Sequence, residues 1–135
     1  MRDSLQIIII VVVVIVAVLA IPVFYGPRST ARLKARAEEY AKAVRFGDHK
    51  TLYDLLAKSR RHGYRPYINY VNSVWRWNTR KYHRVRVIEV KRTDRNHGTV
   101  KITYDYTEYG RSSSDDFTSY WVYTNGNWYR VEPDY

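Results

Sequence analysis

Ser119–Val131, SYWVYTNGNWYRV, is the stretch whose reading decides the fold: two runs of aromatic and β-branched residues joined by Asn125-Gly126. Asn-Gly between alternating runs is the strongest short-range hairpin signal, because a two-residue type I′ turn needs positive φ at both central residues. The turn sets the register: Tyr123 opposite Trp128, Val122 opposite Tyr129, Trp121 opposite Arg130, Tyr120 opposite Val131. Side chains alternate across a strand, so the register also sorts them into two faces. One holds Tyr120, Val122, Tyr129 and Val131 and is expected to be the core beneath helices. The other holds Ser119, Trp121, Tyr123, Trp128, Arg130 and Glu132, and is expected to point outward, with Arg130 over Trp121. Trp121, Tyr123, Trp128 and Arg130 are accordingly the candidate partner-contact residues. Burial under a loop, or self-association, is the competing reading of that face.

Working back along the chain, Val100, Ile102, Tyr104 and Tyr106 alternate with Lys101, Thr103, Asp105 and Thr107, a half-buried strand. Asn96–Gly98 is expected to be its leading turn, and GRSSSDD (Gly110–Asp116) a loop before a strand over Phe117–Tyr123. The strand before it begins near Tyr82, and its parity slips at Ile88, which predicts a bulge. Further back the period becomes helical. Leu33, Ala37, Tyr40, Ala41 and Val44 form one stripe behind an N-cap at Ser29 or Thr30. Gly47 ends that helix, and Asp48 caps the next, whose buried side is Leu52, Leu55 and Leu56. Gly63 breaks the chain before a third helix with Pro66 in its first turn and Ile68, Val71, Val74 and Trp75 inward.

Before all of this lies Ile7–Phe24, IIIIVVVVIVAVLAIPVF, eighteen residues without a charge, amide or hydroxyl. At roughly 1.5 Å per residue a helix of that length reaches about 27 Å, close to a bilayer's hydrocarbon thickness. In lipid such a lone run must be helical despite its β-branched residues. Ile7, Val14, Leu19 and Phe24 mark the expected anchor, and Tyr25-Gly26-Pro27 its exit. A cleaved secretory signal is the competing reading, but the run exceeds the usual apolar length of about 7–15 residues and no Ala-x-Ala site follows. The expected organisation is a tail and single transmembrane helix over 1–27 and one α+β domain over 28–135, about three helices packed on a curved antiparallel sheet of about four strands.

There is no cysteine, hence neither disulfide framework nor thiolate chemistry. The net charge of +10 is concentrated: residues 58–95 carry twelve Lys/Arg against Glu89 and Asp94 only. Arg60, Arg61, Arg65, Arg76, Arg80, Lys81, Arg84 and Arg86 form a candidate basic patch for anionic lipid headgroups or an acidic partner. A solvated basic face with no specific partner explains the run equally well.

Specific segments also carry a resemblance. AKAVRFGDHKTLYDLLA (Ala41–Ala57) resembles the helix, Gly-Asp, helix opening of nuclear-transport-factor-2-like domains. HGTVKITYDY (His97–Tyr106) resembles their middle strand, and SYWVYTNGNWYRV their closing hairpin. Together these span most of residues 30–135. The resemblance implies a sheet curled into a cone around a pocket closed by the helices. Members with one preceding transmembrane helix resemble extracytoplasmic accessory and assembly modules, among them the inner-membrane assembly component of type IV secretion machines. This chain is much shorter than that component, and its particular role is not carried over.

Enzymes of that superfamily place an acid or base inside the apolar cone. Here Asp105 has the parity of an outward residue, Asp115 and Asp116 sit in or beside the expected loop, and His49, His62, His83 and His97 lack metal-ligand spacing. No catalytic residue, cofactor or metal is assigned, and the expectation is a non-enzyme. Arginine interleaved with aromatics in RPYINYVNSVWRWNTRKYHRVR could stack on and neutralise nucleic acid, but no binding motif supports it. The expected partners are a larger membrane complex and membrane lipid, with homo-oligomerisation left open. Two signals disagree on topology. Arg28, Arg32, Lys34 and Arg36 after the apolar run place the domain in the cytoplasm by flank charge, whereas the resemblance places it outside. The extracytoplasmic side is favoured.

Overall fold

The computed structural model describes residues 2–24 and 26–132, with side chains described for 3–15 and 26–132. Helix α1 spans Arg2–Phe24. Among the described residues no helix is long and apolar enough to cross a membrane. The side chains of the second half of the apolar run, Leu19 and Phe24 included, lie outside that description, as does Tyr25.

The domain follows as α2 (Thr30–Phe46), α3 (His49–Asp54), a 3₁₀ turn (Lys58–Arg60) and α4 (Tyr64–Trp75). A four-stranded antiparallel meander comes next: β1 (Arg80–Arg92), β2 (His97–Glu108), β3 (Arg111–Thr124) and β4 (Asn127–Val131). The helix boundaries follow local chemistry. Ser29 Oγ accepts from the Arg32 amide at 3.1 Å, and Gly47 takes the left-handed conformation (φ 65°) that ends α2. Trp77 packs against Gly47 and donates its indole N–H to the Val44 carbonyl at 2.6 Å. Asp48 caps α3 through the Thr51 amide (3.1 Å) and hydroxyl (2.7 Å). The expected α2 stripe is buried throughout. On α4 the buried stripe is Tyr67, Val71 and Trp75, each one turn from the next, while Val74 is exposed and Ile68 half-buried. Tyr67 was missed because its hydroxyl marks it as amphipathic. In the structure that hydroxyl has a buried function.

The sheet departs from expectation at three places. Gly98 is not in the turn: it is a strand residue of β2, paired with Arg92 and Trp121. A Cβ there would stand 2.6 Å from Leu33 Cδ2 and 2.9 Å from the Lys91 carbonyl oxygen, so the glycine lets α2 lie close on the sheet. Gly110–Asp116 is not a loop, since β3 starts at Arg111 and pairs with β2 as far as Glu108. The turn is Tyr109-Gly110, both at positive φ (51° and 78°). Polar Ser and Asp side chains hid the strand because both of its faces are exposed there. The bulge at Ile88 is present, and a second lies at His83.

The third departure is the face assignment. The register of the closing hairpin is the one expected, with Asn125 and Gly126 at φ 50° and 78°. Its faces are inverted. Trp121, Trp128, Arg130 and Ser119 are buried and Tyr123 is half-buried, whereas Tyr120 is 62% exposed. Trp121, Trp128 and Arg130 therefore do not form an outward contact surface. Each buried indole removes roughly 150–250 Å² from water, about 4–6 kcal/mol, more than a Val side chain on the opposite face would contribute. The Ser119 hydroxyl on this face is satisfied internally. Ser119 Oγ accepts the Trp121 indole N–H at 2.8 Å and donates to the Val100 carbonyl at 3.3 Å.

Candidate functional site

Tyr40, Leu52, Tyr67, Trp121, Trp128 and Arg130 occupy the space between the helices and the sheet's inner face, all 0–1% exposed. This is where the resemblance places a pocket. Arg130 organises it. Its Nη2 donates to the Leu52 carbonyl (3.0 Å) and to the Tyr67 hydroxyl (2.6 Å), and its Nη1 to the Glu132 carboxylate. The guanidinium carbon lies 4.3 Å above the Tyr40 ring centroid, not over Trp121. Leu52, Tyr67 and Tyr40 belong to α3, α4 and α2, so one side chain of β4 touches every helix of the domain.

The main chain repeats the link. The Arg130 amide donates to the Leu55 carbonyl at 2.7 Å, and the Arg130 carbonyl accepts from the Ala57 amide at 2.9 Å. These bonds form a short parallel bridge between Leu56 and β4. Burial opposes the charge on Arg130, but the Tyr40 and Tyr67 phenols around it hold its pKa above the ordinary value. Burial also pushes the Tyr40 phenol up to about 12, although Arg130 pulls the other way. Such a centre is a filled, charge-compensated core, and a substrate would have to displace it.

The basic patch divides into four. Arg61 donates to the Leu56 and Asp54 carbonyls (2.9 and 2.8 Å) and lies over Tyr53, holding the chain after α3. Arg76 and Arg80 pair with Glu108 at 2.9 and 3.3 Å. The Thr79 hydroxyl, with these cations, holds the Glu108 carboxyl below its usual range. Lys81, Arg84 and Arg86 are exposed on β1, an edge strand of the sheet, and Arg65 is exposed at the start of α4. Arg84 faces Asp105 in the register, where the Asp105 carboxylate accepts the Ser114 hydroxyl at 2.6 Å. A row of cations on an exposed edge also blocks strand-to-strand association, the ordinary use of such residues. Arg60 lines a groove of about 570 Å³ beside Tyr120, Val122 and Val131.

Three histidines pair singly with polar neighbours. His83 bonds Thr107, His97 bonds Asp94 and His49 bonds Asn72. Among the described residues no group of three or more His, Asp or Glu could hold a metal. Asp115, expected beside a loop, is a strand residue opposite Tyr104, and its charge adds to burial in pushing the Tyr104 phenol up to about 12.

No protein-family model and no curated protein sequence matches the chain. Solved structures do. A SEC-C motif-containing protein from Rhodopseudomonas palustris is similar at 18% identity and TM-score 0.57, over 82% of this chain and 84% of that one. A nuclear-transport-factor-2-like protein of unknown function from Shewanella oneidensis is similar at 12% identity and TM-score 0.54, over 76% of this chain and 94% of that one. An LEH-like epoxide hydrolase from M. tuberculosis is similar at 11% identity and TM-score 0.51, over 75% and 82%. At these identities the likeness is one of fold, and the domain has the nuclear-transport-factor-2-like α+β architecture.

Proposed function

We propose that the chain is a non-catalytic, membrane-anchored accessory subunit of a larger membrane complex, with its domain on the extracytoplasmic side. The observation that carries the non-catalytic reading is the filled cone. Arg130, Tyr67, Tyr40 and two tryptophans occupy the volume that a ligand-binding or enzymatic domain of this architecture would keep open. The anchor rests on the uncharged run Ile7–Phe24, which falls within the single helix α1, and on Ile7–Ile15, apolar side chains that stand 50–62% exposed. The contact surface moves from the inner to the outer sheet face, where Tyr120 is exposed beside half-buried Val122, Tyr129 and Val131. Lys81, Arg84 and Arg86 supply charge on the same face, toward the other edge.

Extraction in a mild detergent tests this. The expected particle is far heavier than the 16.1 kDa chain and loses mass when Tyr120 is replaced by Arg. A clean monomer overturns the accessory reading. A single cysteine at exposed Ser113, treated in intact cells with a membrane-impermeant maleimide, tests the side: labelling is expected, and protection until lysis places the domain in the cytoplasm.

A further inference from the structure

Immediately after α1 the chain forms one wall of a cleft of about 560 Å³, lined by Gly26, Pro27, Arg28, Arg92, Asp94, Arg95 and Tyr123. Three arginines, from the exit segment, the end of β1 and the β1–β2 turn, thus line one cleft. Their arrangement is built. Arg28 lies over the Tyr123 ring with its guanidinium carbon 4.5 Å from the centroid, and Arg92 Nη1 donates to the Arg28 carbonyl at 2.9 Å. The Nε of Arg28 is buried and has no hydrogen-bond partner among the described residues. The one carboxylate in the lining is committed elsewhere. Asp94 accepts from the Asn96 amide at 2.8 Å and lies 2.9 Å from His97 Nδ1, closing its own turn. The cleft therefore keeps an excess of positive charge, with donors suited to a tetrahedral oxyanion.

We infer that this cleft binds the phosphate of an anionic phospholipid headgroup in the leaflet on the domain's side. The inference rests on the membrane-anchored reading, because Gly26 stands only two residues beyond the end of α1. A chain leaving the hydrocarbon there passes through the headgroup layer, where tethered guanidinium groups meet lipid phosphates at high local concentration. Forked donors prefer phosphate, and Tyr123 supplies an aromatic wall at interfacial depth. The site differs from the sequence-defined basic patch: none of its three arginines belongs to that set.

The test uses the full chain in uncharged detergent, with unfolding followed by tryptophan fluorescence. Phosphatidylglycerol in mixed micelles is the probe, phosphatidylcholine the uncharged control, and soluble glycerol 1-phosphate the free-phosphate arm. Phosphatidylglycerol is expected to raise the unfolding midpoint. Replacing Arg28, Arg92 and Arg95 together by Gln should raise the half-saturating lipid fraction about tenfold or more. Replacing Lys81, Arg84 and Arg86 by Gln removes equal charge from the outer face and should leave the response within about twofold. Equal losses in the two triple variants, or no response in the parent, overturn the site. Equal potency of glycerol 1-phosphate overturns the lipid assignment in favour of a solution anion. If the triple variant does not fold, Arg95→Gln alone, at an exposed position, must still weaken the response at least twofold. An alkaline carbonate wash separates the two readings. Release of the parent chain from membranes overturns the anchor and the headgroup assignment with it. Retention without a cleft-specific response overturns the cleft alone.

Discussion

The two edge strands of the sheet use arginine in opposite ways. On β4, Arg130 is buried, shared among a carbonyl, a phenol and a carboxylate, with a second phenol ring beneath it. On β1, Arg84 and Arg86 stand in solvent beside Lys81. Residue type does not separate them. The difference is whether acceptors converge: the helices aim a main-chain carbonyl and an aromatic hydroxyl at β4, while Lys81, Arg84 and Arg86 of β1 lie on the face turned away from the helices. A buried cation without such partners would cost several kcal/mol, so those partners determine whether the position can be occupied at all.

That contrast is broken most severely at Arg130. Arg130→Ala strands the Glu132 carboxylate and removes the charged donor to the Tyr67 hydroxyl, and should cost about 3–5 kcal/mol in urea unfolding. The next effect follows pH. The Tyr40 phenol ionises near 10 when unfolded and at about 12 when folded, so the folded state holds its proton longer. The associated stability is present below pH 10 and is lost as pH rises toward 12, amounting to about 2–3 kcal/mol. Tyr40→Phe should flatten that alkaline limb in a pH series of denaturation midpoints. On the inner face of the first hairpin, Gly98→Ala drives a methyl group into Leu33 and the Lys91 carbonyl, and should cost about 1–3 kcal/mol, with a matching drop in thermal midpoint. The smallest effect belongs to β1 itself. Arg84→Ala and Arg86→Ala should each change stability by less than about 0.5 kcal/mol. A large loss there would erase the distinction between the two edges.

The sequence carried the order of elements, the caps at Ser29 and Asp48, the α2 stripe and the whole register of the closing hairpin. These follow from local chemistry, which a sequence states directly. It misassigned the hairpin's faces because alternation says which side chains share a face, not which face is covered. The charges of Arg130 and Glu132 beside two tryptophans read as solvent markers, yet two of the acceptors that hold Arg130 inside lie 63 and 78 residues away. One local signal was available, namely Ser119 two residues before Trp121, where a hydroxyl can receive the indole N–H. The strand at Arg111–Asp116 was hidden for the opposite reason: with both faces exposed, no apolar alternation exists to be read. Among the basic residues, charge density along the chain did not distinguish Arg61, Arg76 and Arg80, engaged in carbonyl or carboxylate contacts, from the exposed Lys81, Arg84 and Arg86. The arginine cleft joins residues 28, 92 and 95 across a separation that no motif spans.

The bridge between β4 and Leu55–Ala57, together with the Arg130 side chain, has a consequence in time. Synthesis delivers the helices first and their central cation last. Until β4 emerges from the ribosome, the Leu52 carbonyl, the Tyr67 hydroxyl and the Tyr40 ring lack the cation they share in the native fold, and α3 lacks its strand neighbour. The native core cannot close before this final strand is available, and a chain ended before residue 130 is expected to leave the inner aromatic face, Trp75 and Trp121 included, open to association or to a chaperone.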